Sequence, residues 1–478
     1  MTLRLTSICS FYLKGVIWIT YAIFLIVLVG FGYIDNPNIL FELLLCGILI
    51  QLTLITFINH WRKYGRPLLL DWFRLTTFLA IILNYFQLIF FLNTNRGIWV
   101  NNLVFLKSEN SMMVLVTILT GLLAMKITDY FSKPKQSGFV SIQFDLKNKK
   151  IFFYSTLLIA FFNLYLILTG KIGYGSDSSI LYGTFSFIFQ GFQLITPFFL
   201  IVLAFIKFSP VRYPGKYNYL FYFFFIVQIS TGLISGMKES VLVPIILISV
   251  PYLTYNHKIP KKIIVLGFLS LLILYPVNTV YRNILNNKDI SRISAFRLAT
   301  TEVLSDDFVD NLISGGQSYS SRFSLFPWVM YSVQEEKNWT EYKNLDRYLI
   351  LPLAWIIPRT LLPDKPTSNT GAILYKKITG SESNSVTPST YGWAYFEGGL
   401  IPVFISFLLF GLLISIIESK INMDSLLGLI IFTTLITGLI KVEADIYFRI
   451  AGIFQLLITI FFLYKVFIRK PKTEILYP

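Results

Sequence analysis

Residues 397–417 read EGGLIPVFISFLLFGLLISII, and this stretch decides the fold class. A carboxylate and two glycines, Glu397 to Gly399, are followed by a long run without a charged side chain. An uncharged apolar run of this length crosses the hydrocarbon core of a bilayer, about 30 Å thick, as one helix. The sequence before Glu397 is polar, so the chain passes here from a water-exposed segment into a membrane span.

Similar apolar runs recur along all 478 residues of the chain. Only 14% of the residues are charged, whereas about a quarter are charged in a soluble protein. The sequence therefore predicts an all-α polytopic membrane protein with about twelve transmembrane helices. They are expected near residues 11–32, 39–59, 75–93, 111–128, 151–169, 181–206, 217–235, 240–256, 263–281, 398–417, 424–440 and 447–468.

The lysines and arginines predict the orientation of these spans. The net charge is +16, and the strongly basic short loops and the tail all fall on one side of the predicted arrangement. Cytoplasmic loops of membrane proteins carry such an excess of positive charge. We therefore expect both termini in the cytoplasm. The same rule explains the basic composition, so nucleic acid is not an expected partner.

One long polar segment, residues 282–397, falls on the opposite, outer side. It carries twelve cations and twelve anions, with aromatic residues and apolar patches throughout. Such a composition can fold, and its prolines should divide it into short amphipathic or re-entrant helices on the outer face of the bundle. The chain then has three parts: an N-terminal bundle at 1–281, an extracytoplasmic loop domain at 282–397, and a C-terminal bundle with its tail at 398–478.

Two basic residues are expected where spans meet the outer surface. Lys238 lies in the tight turn Ser235–Ser240 between the seventh and eighth spans, and Arg282 ends the ninth span. Each is either an interfacial anchor or a cation presented to a lipid-linked phosphate, because an arginine fork matches phosphate oxygens in a bidentate way. The sequence leaves both interpretations open.

Further candidates lie in the second half of the chain. Arg359 and Lys365 stand among prolines, which limit the backbone ordering that ligand binding requires. Glu397 is either a general base or a carboxylate favoured at a helix start. Glu443, Asp445 and Arg449, around the last outer turn, are predicted to form structural ion pairs.

Several kinds of chemistry find no signal in the sequence. There is no P-loop, no dinucleotide-binding glycine motif and no His-Glu-x-x-His. No Asp-x-Asp pair, a common metal-binding arrangement for sugar phosphates, occurs in an outer loop, and the two cysteines cannot build a metal cluster. We expect neither a metal nor a cofactor.

The order of three motifs over roughly residues 230–420 resembles the Wzy-type oligosaccharide repeat-unit polymerases of bacteria. The motifs are Gly236-x-Lys238, where this family often has arginine; Pro358-Arg359…Pro363-x-Lys365-Pro366; and Ser389-Thr390-Tyr-Gly392…Tyr395-Phe396-Glu397-Gly398-Gly399 running into a span. Trp393 stands where many relatives have glutamate.

The resemblance implies a GT-C-like membrane glycosyltransferase in the bacterial inner membrane. It would transfer a glycan from undecaprenyl pyrophosphate to the terminal sugar of another lipid-linked repeat unit, making O-antigen, capsule or exopolysaccharide without a metal. A chain-length regulator and a flippase are the implied protein partners, beside membrane lipids. The implied roles are catalysis by Glu397, Lys238 and Arg359; pyrophosphate binding by Lys238, Arg282, Arg359 and Lys365; and sugar binding by Trp355, Trp393 and Tyr395.

Two other functions remain open. An O-antigen ligase shares this design but is usually recognised by a histidine in the outer loop, which residues 282–397 lack. A transporter or flippase of lipid-linked sugars would need charged residues inside its spans. The predicted spans are almost free of charge, which disfavours a transporter.

Overall fold

The structure, a computed structural model, describes residues 7–30, 37–95, 97–100, 104–132, 134, 144–171, 173, 186–209, 213–256, 276–285, 290–304, 324–339, 370–381 and 385–469. These residues are predominantly helical. The first half contains α1 (Ser7–Gly30), α2 (Pro37–Ile50), α3 (Thr56–Tyr64), α4 (Leu69–Thr77), α5 (Leu83–Asn95), α6 (Ser111–Thr128), α7 (Lys149–Leu168), α8 (Ser186–Phe208), α9 (Lys216–Ile234) and α10 (Lys238–Asn256).

The second half alternates short and long helices. They are α11 (276–285), α12 (Arg292–Val303), α13 (Phe326–Glu335), α14 (Thr370–Thr379), α15 (Ser389–Phe396), α16 (Leu400–Lys420), α17 (Leu426–Leu439) and α18 (Ile446–Phe467). π-Helical turns at Gln51–Ile55 and Phe78–Ile82 join α2 to α3 and α4 to α5, so each pair forms one continuous rod.

Eight rods in the described part of the chain are long and apolar enough to cross a membrane. They span Ile8–Leu28, Asn38–Tyr64, Leu69–Ile89, Ser108–Phe131, Lys149–Leu168, Lys216–Ile234, Leu400–Lys420 and Ile446–Phe467. The prediction of a helical membrane protein is confirmed at this level. Three further predicted spans correspond to shorter apolar helices, Leu194–Phe208, Ser240–Asn256 and Leu426–Leu439. Residues 263–275 of the predicted span at 263–281 fall outside the described residues.

Two small strand pairs depart from the all-α expectation. Strands β1 (Gly97–Val100) and β2 (Val104–Lys107) form an antiparallel hairpin between α5 and α6. Strand β3 (Asp145–Leu146) pairs with β4 (Ile468–Arg469), which joins the start of α7 to the end of α18. Both pairs connect chain segments that lie outside the helices, at the ends of the bundle.

The bundle has two ends, which we name by their loops. The basic-loop end carries the turn at 65–68, and the polar-segment end carries the turn at 235–237. Consecutive spans run in opposite directions, so Glu418, near the end of α16, meets Leu69 at the start of α4: the Leu69 amide donates to Glu418 Oε2 at 2.7 Å. This pairing joins residues that are far apart in the chain at one end of the bundle.

Two short helices of the polar segment lie inside the bundle rather than on its surface. The amide before α13, at Leu325, donates to the carbonyl of Ala80 at 3.1 Å, in the middle of the Leu69–Ile89 rod. In α15, Tyr391 stacks on Phe407 of α16, with ring centroids 4.4 Å apart. Both helices therefore pack against the membrane-spanning rods, while the outer loop domain with short or re-entrant helices stays a prediction. Their apolar faces, which include Phe326 and Met330, are fully buried.

The orientation can be tested by cysteine labelling. Ser381 and Lys150 are exposed at opposite ends of the bundle, and Cys9, the exposed native cysteine, would first be replaced by serine. We expect an impermeant maleimide to label Ser381→Cys on intact cells, and Lys150→Cys only after permeabilisation, because the basic loops should be cytoplasmic. The opposite labelling pattern would reject the predicted orientation.

Candidate functional site

The turn between α9 and α10 is shaped by two glycines. Gly236 has φ of +68°, a conformation that glycine adopts without strain. At Gly232, an added Cβ would lie 2.7 Å from the carbonyl oxygen of Ser240, so the two helices approach closely. The Ser235 hydroxyl donates to the Gly232 carbonyl at 2.7 Å. The predicted tight hairpin is present, and Lys238 is the first residue of α10.

Arg282 and Tyr281 on α11 hold this turn. Both Nε and Nη2 of Arg282 donate to the carbonyl of Gly236, at 3.0 and 2.7 Å. The buried Tyr281 hydroxyl donates to the carbonyl of Ile234 at 2.6 Å. Two sequence-predicted phosphate ligands, Lys238 and Arg282, therefore belong to one turn. The contacts of the Lys238 side chain lie outside the described part of the structure.

Arg292 is a third cation at this place, and no sequence pattern marked it as a candidate. It begins α12, which packs on α11 through Ala295 and Ala299, and it is 8% exposed. Its Nη2 donates to the carbonyl of Gly170 at 3.4 Å, and its guanidinium donates to the Tyr281 hydroxyl oxygen. Burial lowers the pKa of the Arg292 guanidinium. An arginine nevertheless stays charged at neutral pH.

We call Tyr281, Arg282, Arg292 and the turn at 235–237 the turn cluster. Its loops come close together: a Cβ on Gly173 would lie 2.6 Å from Nη1 of Arg292 and 2.8 Å from the carbonyl oxygen of Ser235. Two guanidinium groups at one helix turn make a positive patch at the polar-segment end of the bundle. Such a patch suits a phosphate group through its positive charge, while the Nε and Nη2 donors of Arg282 are used by Gly236.

Glu397 lies at the same end of the bundle, between α15 and α16. It is 9% exposed, and its Oε2 accepts a hydrogen bond from the Tyr447 hydroxyl at 2.9 Å. Gly398 and Gly399 follow with φ of +136° and +85°, so the chain can reverse from α15 into α16 only with glycine-like freedom. The carboxylate is thus held by α18 beside a sharp reversal. The base and helix-start interpretations both remain possible for it.

The helix α15 that precedes Glu397 is tightly fixed. Its first residue, Ser389, has φ of +70°, a strained conformation for a residue with a side chain. The Thr390 hydroxyl lies 2.8 and 2.7 Å from the carbonyl oxygens of Val442 and Ala444. At Gly392, a Cβ would lie 2.5 Å from Oγ of Ser332 on α13. The glycines and hydroxyls of this motif therefore support packing inside the bundle.

Trp393 and Tyr395 were predicted to bind sugars. Trp393 is 2% exposed and packs against Trp339 and Phe396. Its ring is therefore covered by other aromatic side chains, and its role in sugar binding stays a prediction. Tyr395 is half-buried at the end of α15. Trp355, Arg359 and Lys365 lie outside the described residues.

The guanidinium of Arg449 donates to backbone carbonyls. It is 7% exposed, and its Nη1 donates to the carbonyls of Gly438 and Leu439 at 3.2 and 3.3 Å. The carboxylate of Asp445, one helical turn before it, acts electrostatically on its charge. One oxygen of Asp445, the nearest acidic residue in the chain, accepts the Tyr447 amide at 2.9 Å as a helix cap.

Charged side chains are also buried near the ends of the rods. At the basic-loop end, Arg74 donates to Asp71 and Asp129 at 2.9 and 2.8 Å, and His60 Nδ1 lies 2.9 Å from Asp71. Arg66 and Glu418 form a second buried ion pair. Near the other end, Oε2 of Glu42 accepts the Tyr85 hydroxyl at 2.6 Å. The helices extend beyond the predicted spans, and most of these charges lie in the extensions at the helix ends.

Metal binding is not indicated in the described ranges. No three His, Cys, Asp or Glu side chains there are arranged so that they could hold a metal ion. A reaction without metal stays a prediction.

Long apolar rods around paired buried charges define a polytopic helical membrane protein. The chain belongs to the family described as Domain of unknown function (DUF8712), whose model matches residues 185–476. The match includes the turn cluster, Glu397 and every other candidate residue predicted from the sequence. No protein of curated function and no solved structure is significantly similar to the chain.

Proposed function

We propose that this protein polymerises oligosaccharide repeat units carried on undecaprenyl pyrophosphate. The observation that carries the proposal is the turn cluster. Lys238 and Arg282 were selected separately from the sequence as pyrophosphate ligands, and Arg282 donates twice to the turn that presents Lys238. Arg292 adds a further guanidinium. A positive patch at a membrane-facing helix turn suits a lipid-borne pyrophosphate.

Besides cations, the proposed reaction needs a base. The acceptor hydroxyl attacks the anomeric carbon of the donor glycan, the bond from that carbon to the pyrophosphate oxygen breaks, and undecaprenyl pyrophosphate leaves with the electron pair. Cations near the leaving oxygen stabilise the charge that develops there. The hydroxyl proton goes to a base, for which Glu397 is the candidate. Arg359 and Lys365 remain proposed ligands of the pyrophosphate.

The proposal includes an architecture and a location. Twelve spans of GT-C-like arrangement would divide at residues 281 and 397, with the polar segment on the outer face of a bacterial inner membrane. The apolar spans would accommodate the polyprenyl tails of two lipid-linked oligosaccharides. A chain-length regulator and a flippase are the proposed partners.

A transporter or flippase of lipid-linked oligosaccharides is the second candidate. The specific observation in its favour is the charge buried inside the spans, above all Arg449, because intramembrane ionisable residues often line a transport path. Most of the buried charges are paired close to the basic-loop end, as in Arg74 with Asp71 and Asp129. Paired charges at a boundary serve packing equally well, so we place the polymerase first.

Reconstitution separates the two candidates. Purified protein in proteoliposomes with lipid-linked repeat units should produce a ladder of longer glycans, and excess EDTA should not remove it. Loss of the ladder in EDTA with recovery on adding magnesium would reject the metal-independent mechanism. Movement of the substrate across the bilayer without any longer glycan would identify a transporter instead.

A further inference from the structure

One buried carboxyl group that the proposed reaction does not use is that of Glu42 on α2. Glu42 is 6% exposed, and its neighbours Tyr85 on α5 and Ser111 at the start of α6 are 0% and 3% exposed. The ring of Tyr85 packs in turn against Phe326 of α13, with ring centroids 5.2 Å apart. Three rods and a helix of the polar segment therefore surround this carboxyl group and remove it from water.

The partners of Glu42 carry no positive charge. In the described part of the chain, no lysine, arginine or histidine nitrogen lies within 4.0 Å of its carboxyl oxygens, whereas the equally buried Glu418 faces an arginine. The titratable side chains around it are those of Tyr85, Cys46 and Tyr21, which are uncharged at neutral pH. An ionised carboxylate buried without a cation has a large free-energy cost.

The hydrogen bonds of Glu42 leave a place for one further proton. Its Oε2 accepts from the Tyr85 hydroxyl at 2.6 Å. The Ser111 hydroxyl oxygen lies within hydrogen-bond distance of both Oε1 of Glu42 and the carbonyl oxygen of Ser108, the latter at 2.6 Å. A hydroxyl has one proton to donate, although it can also accept. With a proton on Oε1, Glu42 donates to Ser111 and Ser111 donates to Ser108, so both short contacts become hydrogen bonds.

We propose that Glu42 is a proton-binding site inside the bundle, occupied at neutral pH, with the proton held on Oε1 between Tyr85 and Ser111. The neutral acid avoids a buried charge and gives each hydroxyl group one acceptor. The site joins α2, α5 and α6 where Tyr85 meets α13, so loss of the proton would place a negative charge at this junction. The inference does not depend on the proposed polymerase activity, and its tests measure the carboxyl group itself.

Infrared spectroscopy detects this proton directly, because the carbonyl stretch of a carboxylic acid is separate from the bands of a carboxylate. We expect the difference between the spectra of the unchanged protein and Glu42→Gln, in nanodiscs at neutral pH with choline as the added cation, to contain one acid band. Tyr85→Phe should shift that band to higher frequency, because the acid then loses the donor to its carbonyl oxygen. The matched control Glu418→Gln should remove carboxylate bands instead, since Glu418 faces Arg66.

Thermal unfolding gives a second readout. Glutamine has the shape of a neutral glutamic acid, and its amide group can accept from Tyr85 and donate to Ser111. Glu42→Gln should therefore leave the Tm unchanged, whereas Glu418→Gln should lower it. The proposal is overturned if Glu42→Gln removes carboxylate bands, if Tyr85→Phe leaves the acid band unshifted, or if Glu42→Gln lowers the Tm as far as Glu418→Gln does. Loss of the acid band on adding sodium ions would also overturn it, because these oxygens would then form a sodium site.

Discussion

Replacing Arg282 by alanine should lower polymer synthesis by about 100-fold or more, with single repeat units left on the lipid carrier. Negative charge develops on the leaving group in the transition state. Removal of one preorganised donor from a water-poor site weakens the stabilisation of that charge. Arg282→Lys should retain only part of the activity, because the ammonium keeps the charge but loses the fork that meets Gly236. The measurement is glycan length in membranes that contain equal amounts of protein.

The control for this prediction lies one residue away. Tyr281→Phe removes the hydroxyl that donates to Ile234, and so it weakens the same turn without changing any charge. If Arg282 serves only to hold the turn, both substitutions should reduce polymer to a similar degree. We expect Tyr281→Phe to keep most of the activity. Full-length polymer from Arg282→Ala would remove Arg282 from the site and leave Arg359 and Lys365 as the proposed cations.

Spans and turns could be predicted because their signals are local. A run such as 400–417 must form a helix in a membrane, whatever it packs against. The Gly236 turn was recognisable from small residues between two apolar runs, and Arg282 from its place at the end of a span. In each case the relevant information lies within about twenty residues of sequence, the length of one transmembrane helix.

Partners across the bundle could not be predicted, because they depend on which spans touch. Leu69 and Glu418 are 349 residues apart, and Arg74 and Asp129 are 55 apart. No local pattern marked Arg292, because its position in the turn cluster depends on a contact with the distant loop at Gly170. Sequence neighbourhood showed only part of the environment of Arg449, which lies one helical turn from Asp445 but donates to carbonyls of α17.

The other large effect is expected for stability at the basic-loop end. Glu418 is 1% exposed; it faces Arg66 and accepts the Leu69 amide at 2.7 Å. Glu418→Ala leaves a buried guanidinium and an amide without partners, so it should destabilise the protein by about 3–5 kcal/mol. Glu418→Gln should destabilise the protein less, because the oxygen of the glutamine side chain can still accept a hydrogen bond from the Leu69 amide. In thermal unfolding in one detergent, the unchanged protein should have the highest Tm, Glu418→Gln a lower Tm and Glu418→Ala the lowest.

The double variant decides whether charge or packing dominates this pair. Arg66→Met in the Glu418→Gln background removes the unpaired guanidinium but keeps an apolar chain over Phe432, whose ring centroid lies 4.7 Å from the Arg66 guanidinium carbon. If the unpaired charge is the main cost, the second substitution should recover stability, with a coupling free energy of about 1–3 kcal/mol. Additive losses would mean that each side chain contributes through its own packing. The ion pair would then join the turn before α4 to α16 by shape rather than by charge.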